Sequence, residues 1–173
     1  MSAELFAEAL PAIFRELVEG SPDPQARTYV LNQGDSGLLA ALERLSAAAA
    51  SATHDGAPSI AAHVDHLRYG LSLLNRWGDG VSPPWPEMDW AASWRRIVVS
   101  EAEWRTLRDE LRHEAARWAV ALARPREVSA VEAGWMAGSV AHLAYHMGTI
   151  RQLDRGTRGP TAEDEARQQR SGA

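Results

Sequence analysis

The sequence contains 173 residues, 45% of them hydrophobic, and carries a formal net charge of −5 at pH 7. All 18 basic residues are arginine and cysteine is absent, which excludes a Schiff base on a protein lysine, thiolate nucleophiles, disulfides and cysteine-ligated metal sites. The acidic balance provides no basic surface for phosphate backbones or anionic lipids, so we expect neither nucleic acid nor a membrane as a partner.

The fold class follows from which residue types are common. Ala, Leu, Arg and Glu dominate, Val, Ile and Thr are sparse, and no long segment alternates as a strand does. We therefore predict an all-α protein with a single domain over residues 1–155 and a polar, disordered tail over residues 156–173. Because there is no leader-like N-terminus and no run of about 18 apolar residues, we expect a soluble, cytoplasmic protein.

Two predicted helices precede any candidate site. The first spans residues 2–19 and contains Pro11, which predicts a kink or a break into two pieces. The second begins at residue 35 or 36 and runs to about residue 50. The polar loop after it contains His54, which we expect to be solvated rather than part of a site.

The third predicted helix carries the first pair of histidines. Ser59 is its N-cap, and Gly78 ends it. His63 and His66 lie three residues apart, hence about 60° apart around the helix axis. At least one of the two imidazoles can therefore face the core.

A long connection over residues 78–100 follows this helix and is rich in proline and tryptophan. We favour the interpretation that its tryptophans clamp the connection onto the helices. The alternative is that some of Trp85, Trp90 and Trp94 line a substrate pocket near the histidines. Aromatic content alone does not separate these two roles.

The fourth predicted helix begins with a capping box. The hydroxyl of Ser100 can accept from the amide of Glu103 while that carboxylate accepts from the amide of Ser100. The helix ends before Pro125, because the residue preceding a proline disfavours helical geometry. His113 lies off its apolar face among charged residues, so we expect it to be solvated.

The last predicted helix opens with a second capping box, Ser129 with Glu132, and runs to about residue 155. It places His142 and His146 four residues apart, so both imidazoles point the same way one turn apart. Such a pair is either two metal ligands or a hydrogen-bonded core pair. The inward face is predicted to consist of Trp135, Gly138, Ser139, His142, His146, Ile150 and Leu153.

Helix lengths predict which histidines meet. His66 lies six residues after the helix start at Ile60, and His146 lies six residues before Gln152, near the end of its helix. Both are then about 9 Å from those ends, so antiparallel packing of the two helices brings His66 level with His146. His142 lies one turn further in. Parallel packing would separate the histidines.

The connections agree with this arrangement. The short link over residues 124–129 makes the fourth helix antiparallel to the last and therefore parallel to the third. Parallel neighbours need a link that travels the length of the bundle, which the 23 residues of the 78–100 connection supply. The sequence predicts a four-helix bundle with one long crossover and a cluster of His66, His142 and His146. Metal binding there is favoured over a buried polar network without metal.

Two motifs resemble those of the DinB/YfiT-like metalloenzymes, which are small four-helix bundles with up-down-down-up topology. Residues 59–67 read SIAAHVDHL, and residues 142–151 read HLAYHMGTIR, similar to the usual family ending His-x-x-x-His-x-Gly-Gln-Ile-Arg. Thr149 stands where Gln is common. The resemblance covers residues 36–153, and its motifs are moderately specific as a set.

The resemblance implies that His66, His142 and His146 bind a divalent metal, Zn²⁺ or Ni²⁺. His63 does not align with a ligand, so we interpret it as a residue that orients a ligand or as an occasional fourth donor. The helix over residues 36–50 is taken as the first helix of the bundle, which makes the N-terminal helix an extra element. A homodimer is a further expectation from the family.

Three neutral imidazoles leave coordination positions open, as in catalytic metal sites. Characterised relatives in the resembled family include S-transferases and isomerases that use bacillithiol or mycothiol. The leading hypothesis is therefore metal-dependent transfer of a low-molecular-weight thiol to a small electrophilic substrate. The alternatives are a metal-dependent hydrolase and a non-catalytic binding module with a vestigial site. Hydrolysis is weakened because Asp65, Glu43 and Tyr145 are the nearest candidate general bases and none is convincing.

Overall fold

The computed structural model describes residues 3–21, 26–53, 55–81 and 85–171, and within these ranges it contains helices and no strand. The prediction of an all-α protein is confirmed, while His54 lies outside the described residues. The helices are α1 (Ala3–Glu19), α2 (Gly37–Glu43), α3 (Ala47–Ser51), α4 (Ile60–Gly78), α5 (Glu101–Ala123), α6 (Ala130–Leu153) and α7 (Ala162–Ser171). Short 3₁₀ turns occur at Trp85–Glu87, Ala92–Trp94 and Arg155–Thr157.

Serine caps fix the starts of the three longest helices. The Ser59 hydroxyl accepts from the Ala62 amide at the start of α4. Both predicted capping boxes are present, at Ser100 for α5 and at Ser129 for α6. Because a cap is a contact between near neighbours in sequence, these helix starts are predicted correctly.

The region before α4 differs from the prediction. α1 continues through Pro11 without a break. The predicted helix over residues 36–50 is instead two short helices, because Ser46 adopts extended geometry and caps α3 by accepting from the Ala49 amide. The apolar run through Leu45 hides this interruption from a reading of periodicity alone.

Contacts between helices give their relative directions. His63 of α4 contacts His146 of α6, and Trp77 further along α4 contacts Trp135 nearer the start of α6, so these two helices are antiparallel. Side chains of α4 meet α5 in the same order along both helices, through the pairs Arg68–Glu110 and Asn75–Glu114. α5 is therefore parallel to α4, and residues 79–100 cross the length between them.

α1 occupies the position that the sequence analysis assigned to residues 36–50. It contacts both α5 and α6, as α4 also does, whereas α2 and α3 are short helices that add buried residues to the same core. The core lies among these four long helices, where Phe14, Leu17, Trp104 and Trp118 are fully buried. The treatment of α1 as an extra helix is corrected for this reason.

Close backbone packing holds α1 against the start of α2. Gly20 and Gly37 both have positive φ, +77° and +78°. A Cβ on Gly37 would lie 2.3 Å from the Gly20 amide nitrogen, which leaves no space for a side chain. Between them, the buried carboxylate of Asp35 accepts from Arg151 of α6 at 2.8 and 2.9 Å. The end of α1 is thereby tied to the end of α6.

The buried face of α6 is only partly the predicted one. Ser139, His146 and Ile150 are buried as expected, but Gly138 is exposed. The prediction misses four buried apolar residues on this helix, because α6 is apolar on nearly all sides and its inward direction is set by its partners. They are Met136, Val140, Leu143 and Met147.

The segment after α6 makes local contacts with the end of that helix. Thr157 is buried and its hydroxyl bonds the carbonyl of Asp154, while Arg158 donates to the Arg151 carbonyl. α7 follows over residues 162–171. The disordered tail over residues 156–173 stays a prediction from composition. Across the described ranges, no helix has both the length and the apolar character needed to cross a membrane.

Candidate metal centre

Three imidazoles from two helices converge at one point. The Nε2 atom of His142 lies 3.1 Å from Nε2 of His66 and 2.9 Å from Nε2 of His146. One ligand atom from each of the three lies within 4.8 Å of the others. Nitrogens bound to one tetrahedral Zn²⁺ at about 2.0–2.1 Å would be roughly 3.3 Å apart. The predicted convergence is present, and the cluster could hold a metal ion.

A serine from the crossover fixes the tautomer of His66. The Ser93 hydroxyl donates to the Trp90 carbonyl at 2.7 Å, so it accepts from Nδ1–H of His66 at 2.8 Å. The proton of the neutral imidazole is therefore on Nδ1, and Nε2 presents a lone pair to the other two histidines. An outer hydrogen bond of this kind is what orients histidine ligands in metal sites.

His63 has the same relation to His146. Their Nδ1 atoms are 2.9 Å apart, and both side chains are buried. If His146 offers Nε2 to a metal, its Nδ1–H donates to the Nδ1 lone pair of His63. His63 is thus placed behind a ligand rather than beside the three converging Nε2 atoms, which fits its predicted role as an orienting residue.

We expect the His63→Phe variant to bind Zn²⁺ about 10–100-fold more weakly, the usual cost of losing an outer hydrogen-bond partner of a ligand. Phenylalanine keeps a ring against Trp94, whose ring centroid is 5.1 Å from that of His63, and removes only the nitrogens. Isothermal titration with Zn²⁺ measures the effect, with His113→Phe on the exposed side of α5 as the control. An unchanged dissociation constant would show that His63 does not orient His146.

The cluster suits a cation better than a shared proton. His66 offers a lone pair at Nε2. In a metal-free network the Nε2–H of His142 would therefore donate both to Nε2 of His66 at 3.1 Å and to Nε2 of His146 at 2.9 Å. One hydrogen divided between two acceptors makes two weak bonds in a buried site. A cation would satisfy all three lone pairs at once.

Burial keeps these imidazoles neutral. Desolvation lowers the pKa of His66 to about 4, helped by repulsion from His142 and His63 and opposed by Asp65. Desolvation lowers the pKa of His146 to about 3, together with repulsion from His142, His63 and His66. Burial also lowers the pKa of His63 and of His142. Neutral imidazole is the form that binds metals, so the cluster is ready to coordinate at neutral pH.

These shifts predict an acid-sensitive fold in the metal-free protein. Below about pH 6.5 His66 and His146 become protonated in the unfolded chain. In the folded protein His66 becomes protonated only near pH 4 and His146 only near pH 3. This contribution to the free energy of unfolding is therefore complete above pH 6.5 and falls below it, by at most about 1.4 kcal/mol per pH unit for each histidine. Urea unfolding between pH 7 and 4.5 measures the slope. It should be shallower in His66→Gln, and an equal slope in both proteins would contradict the prediction.

The crossover covers the centre with aromatic rings. Trp94 stacks on His66, with ring centroids 4.2 Å apart and an angle of 22° between the planes. Trp90 lies 5.4 Å from His66 by ring centroids, and Asp89 caps the turn that carries Ser93 and Trp94 by accepting from the Ala92 amide. These tryptophans thus both hold the crossover down and border the site.

A cavity of about 460 Å³ opens beside the cluster, between α4, α6 and the crossover. His142 is the only one of the three clustered histidines on its wall. The complete lining is Leu67, Gly70, Leu71, Leu74, Trp85, Met88, Trp90, Gly134, Trp135, Gly138, Ser139, His142 and Leu143. A molecule in this space would have one end next to the candidate metal position.

Comparison with known protein families, curated proteins and solved structures finds no match for this chain. The DinB-like resemblance is therefore a prediction that rests on the two histidine motifs.

The candidate general bases predicted from the sequence are committed elsewhere or face solvent. Asp65 is buried, and its carboxylate contacts Arg68 at 2.8 Å and Arg96 at 3.3 Å. Glu43 pairs with Arg112 on the surface, and Tyr145 is 69% exposed. His113 is exposed on α5, as predicted.

Sequence reasoning missed Ser93. Its only local signal is the Asp89 cap four residues earlier, which predicts a turn but does not indicate which helix the turn faces.

Proposed function

We propose that the protein is a DinB-like metal-dependent enzyme in which His66, His142 and His146 bind Zn²⁺ or Ni²⁺ and leave coordination positions open. The observation that supports this best is the convergence of three Nε2 atoms at 2.9 and 3.1 Å, from two buried histidines and the half-buried His142 on the edge of a cavity. Three imidazoles with free positions are typical of catalytic zinc, whereas structural zinc has four protein ligands.

The proposed topology is an up-down-down-up bundle of α1, α4, α5 and α6, with the long crossover between α4 and α5. The link from Asp35, beside the end of α1, to Arg151 at the end of α6 supports parallel α1 and α6. The contact between His63 and His146 supports an α4 that runs antiparallel to α6. This assignment replaces the helix over residues 36–50 with α1.

The favoured reaction is transfer of a low-molecular-weight thiol to a small electrophile. A bound divalent metal would lower the pKa of a coordinated thiol or water toward neutrality. Because the chain contains no cysteine, the thiol has to be a co-substrate. Its sulfur forms the new bond to carbon, the leaving group departs with the electrons of the broken bond, and the thiol proton passes to solvent.

The chain's own residues have separate tasks in this proposal. Ser93 holds the His66 ring with Nε2 toward the centre, and His63 does the same for His146. Trp94 covers His66 and keeps water from that side. Asp65 and Glu43 are held in ion pairs, and Tyr145 packs its ring on His146 but is 69% exposed. None of the three is a buried, unpaired carboxylate or imidazole at the cluster, which favours thiol transfer over hydrolysis.

An assay with metal-loaded protein and 1-chloro-2,4-dinitrobenzene tests the reaction. We expect consumption of bacillithiol or mycothiol in equal amount to the product, with activity lost after chelation and in His142→Ala. Turnover without thiol would indicate hydrolysis instead. Bound metal with neither activity would overturn the enzymatic proposal and favour a binding module. The same preparation, run on a sizing column, tests the expected homodimer.

A further inference from the structure

Among the residues that the structure describes, the wall of the cavity beside His142 holds no charged side chain. Leucines, tryptophans and a methionine make up most of it, and the rest consists of glycines at positions 70, 134 and 138 with Ser139 and His142. Its volume of about 460 Å³ lies within the range of roughly 300–1,000 Å³ that small-molecule sites occupy. A surface of this composition recognises shape and apolar area rather than charge.

The wall offers few polar groups, and the one without a hydrogen-bond partner is the neutral Nε1–H of Trp85. The Ser139 hydroxyl donates to the Met136 carbonyl and accepts from Nε1 of Trp118. His142 directs its Nε2 toward the other histidines. A charged group on a ligand would therefore lose its hydration and find no charged partner on this wall, which disfavours its binding.

Missing side chains create the space. A Cβ on Gly138 or Gly134 would meet no heavy atom within 4 Å. A Cβ on Gly70 would lie 3.8 Å from Trp90 and 4.0 Å from Cε1 of His142. Gly70 thus lies where the cavity wall meets the His142 ring, and it adds no side chain between a ligand and that ring.

We infer that this cavity binds an uncharged, mainly apolar or aromatic molecule, and that this molecule is the electrophilic substrate. The assignment of a substrate rests on the proposed function, whereas the preference for an uncharged ligand rests on the cavity alone. Bacillithiol and mycothiol are polar sugar conjugates and do not match this wall. The thiol co-substrate must then reach the centre from outside the cavity.

A matched pair of fluorescent ligands tests the preference for an uncharged molecule. N-phenyl-1-naphthylamine and 1-anilinonaphthalene-8-sulfonate share one aromatic body, and only the second carries a negative charge. We expect the full-length protein to bind the neutral ligand at least 10-fold more tightly, both with and without metal. Equal affinity, or tighter binding of the sulfonate, would overturn the inference.

Two glycines of α6 provide a variant and its control. Gly138→Leu puts a side chain into the cavity, whereas Gly148→Leu places the same side chain at an equally open position outside it. Binding of the neutral ligand should weaken at least 10-fold in Gly138→Leu only, with metal content unchanged in both. Equal binding by wild type and Gly138→Leu, or equal weakening in both variants, would show that the ligand binds elsewhere.

The outcomes separate this inference from the proposed function. Neutral-ligand binding that responds to Gly138→Leu in protein that takes up no metal would support the cavity and contradict the enzyme. Metal-dependent thiol transfer without a preference for the neutral ligand would support the enzyme and contradict the inference about the cavity.

Discussion

The His142→Ala variant should lose bound metal almost completely, with the dissociation constant for Zn²⁺ raised by more than the roughly 10–100-fold cost of an outer partner. His142 is the central member of the cluster, because its Nε2 is the atom that both other histidines approach, at 3.1 and 2.9 Å. Its removal leaves only His66 and His146. The His66→Ala variant should show a loss of similar size.

Metal analysis of protein purified without an affinity tag measures this directly, and titration with Zn²⁺ gives the change in affinity. His113→Ala is the control, since that imidazole is exposed on α5 and outside the cluster. If both cluster variants keep the metal content of the wild type, His66 and His142 are not the ligands. A loss in His63→Phe as large as in His142→Ala would make His63 a ligand as well.

The Gly37→Ala variant should lose about 4 kcal/mol or more of its free energy of unfolding. Single substitutions cause losses of this size only through a few mechanisms, such as overpacking and backbone strain. A methyl group there would lie 2.3 Å from the Gly20 nitrogen and 2.7 Å from the Glu19 carbonyl carbon. These are backbone atoms, so relief requires that α1 move away from α2. The positive φ adds about 1–2 kcal/mol on its own.

Gly56→Ala separates the two contributions. Gly56 has nearly the same φ, +76°, but a Cβ there meets nothing within 4 Å. We expect it to cost only the conformational share, about 1–2 kcal/mol, in urea unfolding at neutral pH. Stabilities of the two variants within 1 kcal/mol of each other would contradict the close approach of α1 and α2. If Gly37→Ala gives no folded protein while Gly56→Ala does, the prediction stands.

Local signals in the sequence account for the parts of the fold that are predicted well. Ser59, Ser100 and Ser129 mark helix starts through contacts within four residues. The helix lengths and the short link before Ser129 then determine which ends meet. The convergence of His66 with His142 and His146 follows from those few quantities, which is why it is found without any tertiary information.

The remaining features depend on contacts between distant segments. The sequence analysis places α1 outside the bundle. It does so because no local signal reveals that Gly20 and Gly37 pack backbone to backbone. The inward direction of α6 is ambiguous because apolar residues surround that helix, so Met147 is missed. Ser93 reaches His66 only through the path of the crossover, and that path is set by Trp90 and Trp94 docking on α4.

The separation of the clustered histidines along the chain has a consequence for folding. His66 and His142 are 76 positions apart, so an ion held by both would act as a reversible cross-link between the two halves of a polypeptide that cannot form disulfides. A ligand that binds only the native state at 1,000 times its dissociation constant adds about 4 kcal/mol. Metal supply in the cell would then affect how long each folded molecule survives.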